Sequence, residues 1–186
     1  MSKFQNLLSI IDELQADAQE INSEEIIKME ELILNANRIF VAGAGRSGFV
    51  ARAFANRLMH IGFTVYFVGE PTTPSIREND LLIIGSGSGE TSSGVTMAEK
   101  AKAEKATVAT LTVHPGNSIG RLADAAIKIP GATARANDAA RQDSIQVKGS
   151  SFEQLCLLVY DAMVVDLRDT KKQTQDDLDY RHANLE

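Results

Sequence analysis

Asp80-Leu-Leu-Ile-Ile-Gly-Ser-Gly-Ser-Gly-Glu-Thr91 joins a short aliphatic run to a loop dense in glycine and serine, and a helical pattern follows over 91–104. An aliphatic run without alternation is what a strand covered on both faces requires, because both sides of its pleat meet apolar atoms. The same order of events occurs upstream, where Arg38-Ile-Phe-Val-Ala42 leads into Gly43-Ala-Gly-Arg-Ser-Gly48 and a helical stretch over 47–61. Further out, Thr64-Val-Tyr-Phe-Val68, Thr107-Val-Ala-Thr-Leu-Thr-Val113 and Ala126-Ile-Lys-Ile129 are runs of the same kind, with a short helix over 117–123. Strands alternating with helices predict βαβ units. The expected fold is α/β, a five-stranded parallel sheet between helical layers in a three-layer αβα sandwich.

Both ends of the chain carry helical patterns outside that alternation. Phe4, Leu7, Leu8, Ile11 and Leu14 recur at helical spacing, and a second helix is predicted from Ser23 as N-cap, with Ile26, Ile27, Met29 and Ile33 behind it. Residues 3–36 thus form an N-terminal addition to a single domain spanning 1–186. Gly131 to Lys148 holds no long apolar run and reads as a loop. A strong helix follows from Ser150 to Arg168, and a short helix and tail complete the extension over 150–186. The long helix is more apolar than one face against a sheet needs, which predicts packing against another subunit.

Composition narrows the class. A chain of 186 residues with 44% hydrophobic and 24% charged side chains is long enough for one real core and excludes a wholly disordered protein. The net charge of −6 argues against nucleic acid and anionic membranes as partners, and at first count against an anionic substrate. Its distribution reverses the last point. Residues 1–31 carry −6 and residues 161–186 carry −3, so the body between them, 32–160, carries +3. The lone cysteine, Cys156, sits in an apolar run and reads as a buried thiol. No run approaches the ~20 apolar residues that span a bilayer, and the first residues do not resemble a signal peptide. A cytoplasmic protein is expected.

The chemistry concentrates where strands end and helices begin, the edge at which open α/β sheets bind ligands. Glycines bring backbone N–H groups close to an anion, and the following helix N-terminus adds unpaired donors and a favourable dipole. Ser47, Ser86, Ser88 and Thr91 add hydroxyls to the same cradle, with Gly87, Gly89 and Glu90 completing the second loop. The first loop alone is a G-x-G-x-x-G match, and Glu70 after the second strand is placed to mimic a ribose-binding acid. The second loop favours a phosphomonoester over a dinucleotide, because short hydroxyl donors crowd around one phosphate. A plainer reading makes both loops tight turns with serine or threonine as helix caps. Arg46 is a further candidate, either pairing with the phosphate or projecting into solvent. Thr72 and Thr73 either line the pocket or belong to a turn between Pro71 and Pro74.

With these loops, Gly149-Ser-Ser-Phe-Glu-Gln154 and Arg181-His-Ala-Asn-Leu-Glu186, the chain resembles the sugar isomerase (SIS) domain family over nearly its whole length. Within that family it is similar to the 6-phospho-3-hexuloisomerases of the ribulose monophosphate pathway. One departure is visible: a Pro-Met lead-in to the Gly-Ser-x-Phe-Glu motif is implied, and Gln146-Val147-Lys148 stands there instead. The resemblance implies a flavodoxin-like or Rossmann-like sheet and a homo-oligomer, a tetramer. It also implies interconversion of D-arabino-hex-3-ulose 6-phosphate and fructose 6-phosphate through an enediol, without a metal or organic cofactor. Other SIS activities on arabinose or heptose phosphates, or a non-catalytic sugar-phosphate sensor, are the alternatives.

The resemblance makes Glu153 the base; read on its own, it is a glutamate favoured by a helix start. Glu90 is expected to face outward or to bond backbone, since a carboxylate aimed into the cradle would repel a phosphate. His60 reads as a packing or capping residue and His114 as part of a turn. His182 is implied to be a proton donor, and the short tail that carries it is expected to reach a neighbouring subunit's site.

Overall fold

The computed structural model describes residues 3–131 and 144–185. Five strands, β1 (Ile39–Gly43), β2 (Val65–Phe67), β3 (Leu81–Gly85), β4 (Thr107–Thr112) and β5 (Ala125–Lys128), pair throughout in parallel. Their order is β2-β1-β3-β4-β5. The expected α/β architecture with a five-stranded parallel sheet is therefore present. Side chains alternate across this sheet with period two. Ile39, Val41, Leu81, Ile83, Ala109, Leu111 and Ile127 enter one core, whereas Phe40, Ala42, Leu82, Ile84 and Val108 enter the other. Each large aliphatic side chain removed from water in this way contributes about 1.5–3 kcal/mol before entropic costs.

The first core lies beneath α2 (Ser23–Asn35), α3 (Gly45–His60) and α6 (Ser150–Thr170), which contribute Met29 and Ile33, Phe54 and Leu58, and Leu155 and Met163 respectively. The second lies beneath α4 (Ser92–Ala103) and α5 (Ser118–Leu122), whose contacts are the smaller Ala98, Ala101 and Ile119. Outside these layers, α1 (Lys3–Ala18) packs on α6, and α7 (Gln175–Arg181) rests on the C-terminal end of α3. Arg181 ties that contact by donating to the carbonyls of His60 (3.2 Å) and Asp177 (3.0 Å). At the N-terminal end of the sheet the Arg38 guanidinium grips Asp80 with two hydrogen bonds, at 3.0 and 2.6 Å, locking β1 beside β3.

One expectation needs adjustment. The N-cap of α2 is Asn22, not Ser23: the Asn22 side chain accepts the Glu24 N–H at 2.9 Å, and Ser23 is already helical. Of the loop expected over 131–148, residues 132–143 lie outside the described residues, while 144–149 are bends and turns. No helix among the described residues is long and apolar enough to cross a membrane.

Candidate active site

Gly43 and Gly85 are register partners at the C-terminal ends of β1 and β3. From Gly43 the chain enters α3 on one face of the sheet, and from Gly85 it enters α4 on the other. The crevice of an open α/β sheet forms where successive connections diverge in this way. The first loop is tight enough that a Cβ at Gly48 would stand 2.7 Å from the Gly43 carbonyl oxygen, so glycine is required there by contact with backbone. A cavity of about 340 Å³ opens at this point, walled by both loops and by the start of α6.

Three helices begin at the cavity wall, and none has a side-chain cap. Ala44 precedes α3, Thr91 precedes α4 and Gly149, at φ +93°, precedes α6; no side chain of these residues accepts a first-turn N–H. Elsewhere in the chain Asn22 and Thr174 do cap their helices. The plainer reading, in which serine and threonine hydroxyls close these helix ends, is therefore not what the geometry has. Instead, unpaired donors and three positive dipole ends surround one cavity.

The second loop is held from behind. The Gly87 carbonyl accepts from the Thr112 hydroxyl (3.1 Å) and the Val113 N–H (3.1 Å), and the Ser88 carbonyl accepts from the Asn117 amide (2.8 Å). With its carbonyls engaged on that side, the amides of Gly87 and Ser88 have no backbone acceptor among the described residues. Ser86, Gly87, Ser88, Thr91 and, from the first loop, Ser47 all line the space. Ser86 Oγ and Thr91 Oγ1 lie 3.3 Å apart, so the two hydroxyls already face one another. Together these groups suit a tetrahedral oxyanion.

Glu153 stands on the opposite wall, in the first turn of α6, with its side chain only 16% exposed. Its Oε2 lies 2.9 Å from Nε of Arg46, which also donates to Ser150 Oγ at 3.1 Å. Burial pushes the Glu153 carboxyl above its ordinary value, while the Arg46 guanidinium partly offsets that rise. A carboxylate poised in this way accepts and returns a proton more evenly than a solvated one. Arg46 lines the cavity with a side chain that is 60% exposed, and in this structure its guanidinium is paired with the carboxylate. Cys156, one turn along α6, is buried, and burial together with Glu153 pushes its thiol well up, as expected of a packing residue.

Other candidates are placed elsewhere. Gly89 and Glu90 do not line the cavity. The Glu90 carboxylate accepts the Ser118 N–H at 2.8 Å, and that bond holds its pKa down. His182 is exposed and stacks on His60, with ring centroids 5.1 Å apart. That contact is at the C-terminal end of the 16-residue α3, about 22 Å along the helix from the cavity, so within one chain His182 is remote from Glu153. His60 is buried, and its pKa is lowered by burial, Arg57 and His182. The His114 carbonyl accepts from the Asn117 N–H in a turn. Glu70 pairs with Arg52, and the Thr73 hydroxyl donates to the Phe67 carbonyl, so the Glu70–Thr73 turn is occupied structurally.

Three lining residues, Lys148, Gly149 and Phe152, were quoted within sequence motifs but not singled out as site residues. The available signal was their position, immediately before and within the turn that carries Glu153.

Comparison with known proteins agrees with this geometry. The SIS domain family model matches residues 32–158. A Bacillus subtilis protein named 3-hexulose-6-phosphate isomerase is 44% identical over the full length of both chains. A Mycobacterium gastri protein of the same name is 42% identical, covering 97% of this chain and 90% of its own. A crystal structure from Methanococcus jannaschii, for which a 3-hexulose-6-phosphate isomerase function is inferred, superposes with a TM-score of 0.78 at 32% identity, covering 98% of this chain and 96% of that one. With the crevice, both glycine loops and the Gly149–Gln154 turn lying in or beside the matched region, this chain belongs to the SIS domain family.

Proposed function

We propose that the protein is an isomerase that interconverts D-arabino-hex-3-ulose 6-phosphate and D-fructose 6-phosphate, with Glu153 as the base. The observation that carries this reading is Glu153 itself: a largely buried carboxylate, raised in pKa, facing a phosphate-sized cradle across a cavity of about 340 Å³. Relatives at 44% and 42% identity that bear this enzyme name support the choice of substrate.

The phosphate sits against Ser47, Ser86, Gly87, Ser88 and Thr91, where helix dipoles and amides neutralise part of its charge. Anchored there, the sugar presents its C2–C3 unit to Glu153. The carboxylate removes the C2 proton of the 3-ulose, the electron pair forms the 2,3-enediol, and the resulting carboxylic acid returns a proton to C3. A hydroxyl proton moves from O2 to O3 in the same conversion, and His182 of a neighbouring subunit serves as its carrier. Positioning and acid–base catalysis suffice for this chemistry.

The reading also includes a cytoplasmic homotetramer. Phe4, Leu7, Leu8 and Ile11 on α1 and Leu158 and Val165 on α6 are exposed apolar residues, in keeping with subunit contacts. A single buried cysteine suits a reducing compartment.

Incubation with fructose 6-phosphate in deuterated water tests the proposal. Deuterium is expected to enter at the carbon beside the carbonyl, with hex-3-ulose 6-phosphate appearing alongside. Tight binding without exchange would point instead to a sensor domain.

A further inference from the structure

The cradle of Ser47 and the Ser86–Thr91 loop offers hydroxyls and amides to a phosphate but no full positive charge. Two cations line the cavity among the described residues, Arg46 and Lys148. Arg46 is committed, at 2.9 Å to Glu153 and 3.1 Å to Ser150 Oγ. Were it to leave for an incoming dianion, a largely buried carboxylate would lose its counter-charge, a costly outcome. We propose that Lys148 is the substrate-recognising cation of this site, pairing with the phosphate so that Arg46 stays on Glu153. This rests on the sugar-phosphate reading above and assigns a residue to its anion.

Local structure fits that role. Lys148 is exposed and forms no ion pair with another described residue, so its ammonium group is free to follow a ligand. Its backbone, by contrast, is tethered on both sides. The Ser150 N–H donates to the Val147 carbonyl at 3.0 Å, the Gln146 N–H to Ser144 Oγ at 3.1 Å, and Ser144 Oγ to Glu13 at 2.7 Å. A fixed Cα carrying a flexible four-carbon stem delivers a point charge with three donors over a range of positions, which suits an anion bound chiefly by backbone.

The test compares wild type, Lys148→Met and Lys148→Arg, in turnover of hex-3-ulose 6-phosphate and in calorimetric binding of fructose 6-phosphate at low and high salt. Loss of a charge-assisted contact is expected to raise KM and Kd about tenfold in Lys148→Met, with a smaller effect on kcat. The salt dependence of affinity flattens in the same variant, because the screened charge is gone. Lys148→Arg is expected to recover most of the affinity. Unchanged affinity and salt response in Lys148→Met would overturn the assignment, as would a fall in kcat with affinity intact, which would put the lysine at the reacting carbons. If wild type binds fructose 6-phosphate but never turns over the hexulose phosphate, the isomerase reading fails, and the binding series still decides the role of Lys148.

Discussion

Arg46 and Glu153, 107 positions apart in the chain, meet at 2.9 Å across the mouth of the cavity, one from the first turn of α3 and the other from the first turn of α6. Burial raises the Glu153 pKa and Arg46 lowers it, so the carboxylate titrates at a compromise between the two. Replacing Arg46 by methionine removes the lowering influence and leaves the burial. The acid limb of kcat/KM, where the proposed base Glu153 takes up a proton, is then expected to move to higher pH, with activity recovering at alkaline pH. A pH–rate profile of both proteins measures this; an unmoved limb would show that the ion pair does not tune the base.

Glu153→Gln separates chemistry from stability. Loss of the base is expected to lower kcat by about a thousandfold or more. Stability moves the other way. A carboxylate whose pKa is raised on folding favours the folded state least when ionised, so its unfavourable contribution is absent below the ordinary value of 4.5 and grows as pH rises through the shifted one. Glutamine carries no such contribution, and exposed Arg46 loses little with its partner. The melting temperature of Glu153→Gln at neutral pH is therefore expected to equal or exceed that of wild type, the difference closing in acid. A clear drop in Tm would contradict the burial argument.

The first loop provides a steric test. An alanine at position 48 would place its Cβ 2.7 Å from the Gly43 carbonyl oxygen, a backbone atom with no room to withdraw. Overpacking of this kind costs about 1–3 kcal/mol, read from the denaturation midpoint. Gly116→Ala is the control, because nothing lies within 4 Å of the added methyl, and it is expected to be silent. Equal midpoints for the two variants would mean that the loop relaxes freely.

These residues also show what a linear reading reaches. Strands such as Leu81–Gly85 were legible because burial on both faces leaves an unbroken apolar run, and the loops because only glycine and short hydroxyl residues pack so closely. Asn22 and Ser23 are both good caps, and the choice between them rests on which side chain reaches the Glu24 N–H. The Arg46–Glu153 pair and the turning of Glu90 toward Ser118, 28 residues downstream, depend on how distant elements dock. Lys148 was visible as a departure from a pattern, but its place in the cavity wall depends on how the Gly149 turn docks beside the two loops.

His182 offers a test across subunits. In its own chain it stacks on His60, remote from Glu153, so a contribution to catalysis has to be made in another subunit's site. His182→Ala and Glu153→Gln are each expected to be nearly inactive alone. Hetero-oligomers of the two, made by unfolding and refolding them together, are expected to regain activity, since some sites then combine an intact Glu153 with an intact His182. No recovery on mixing would place His182 outside the reaction.

Asn22 and Thr174 close the ends of α2 and α7 with their own side chains, whereas α3, α4 and α6 open onto the cavity with none. One bound substrate would therefore meet three uncapped helix starts at once, its phosphate at the segments after β1 and β3 and its sugar at the segment that carries Glu153. A substrate bound in this way would supply hydrogen-bond partners that the polypeptide leaves out. Occupancy should slow hydrogen exchange in all three first turns together, far beyond the few atoms that the ligand touches, while an unphosphorylated sugar of the same shape would leave each helix end to breathe on its own.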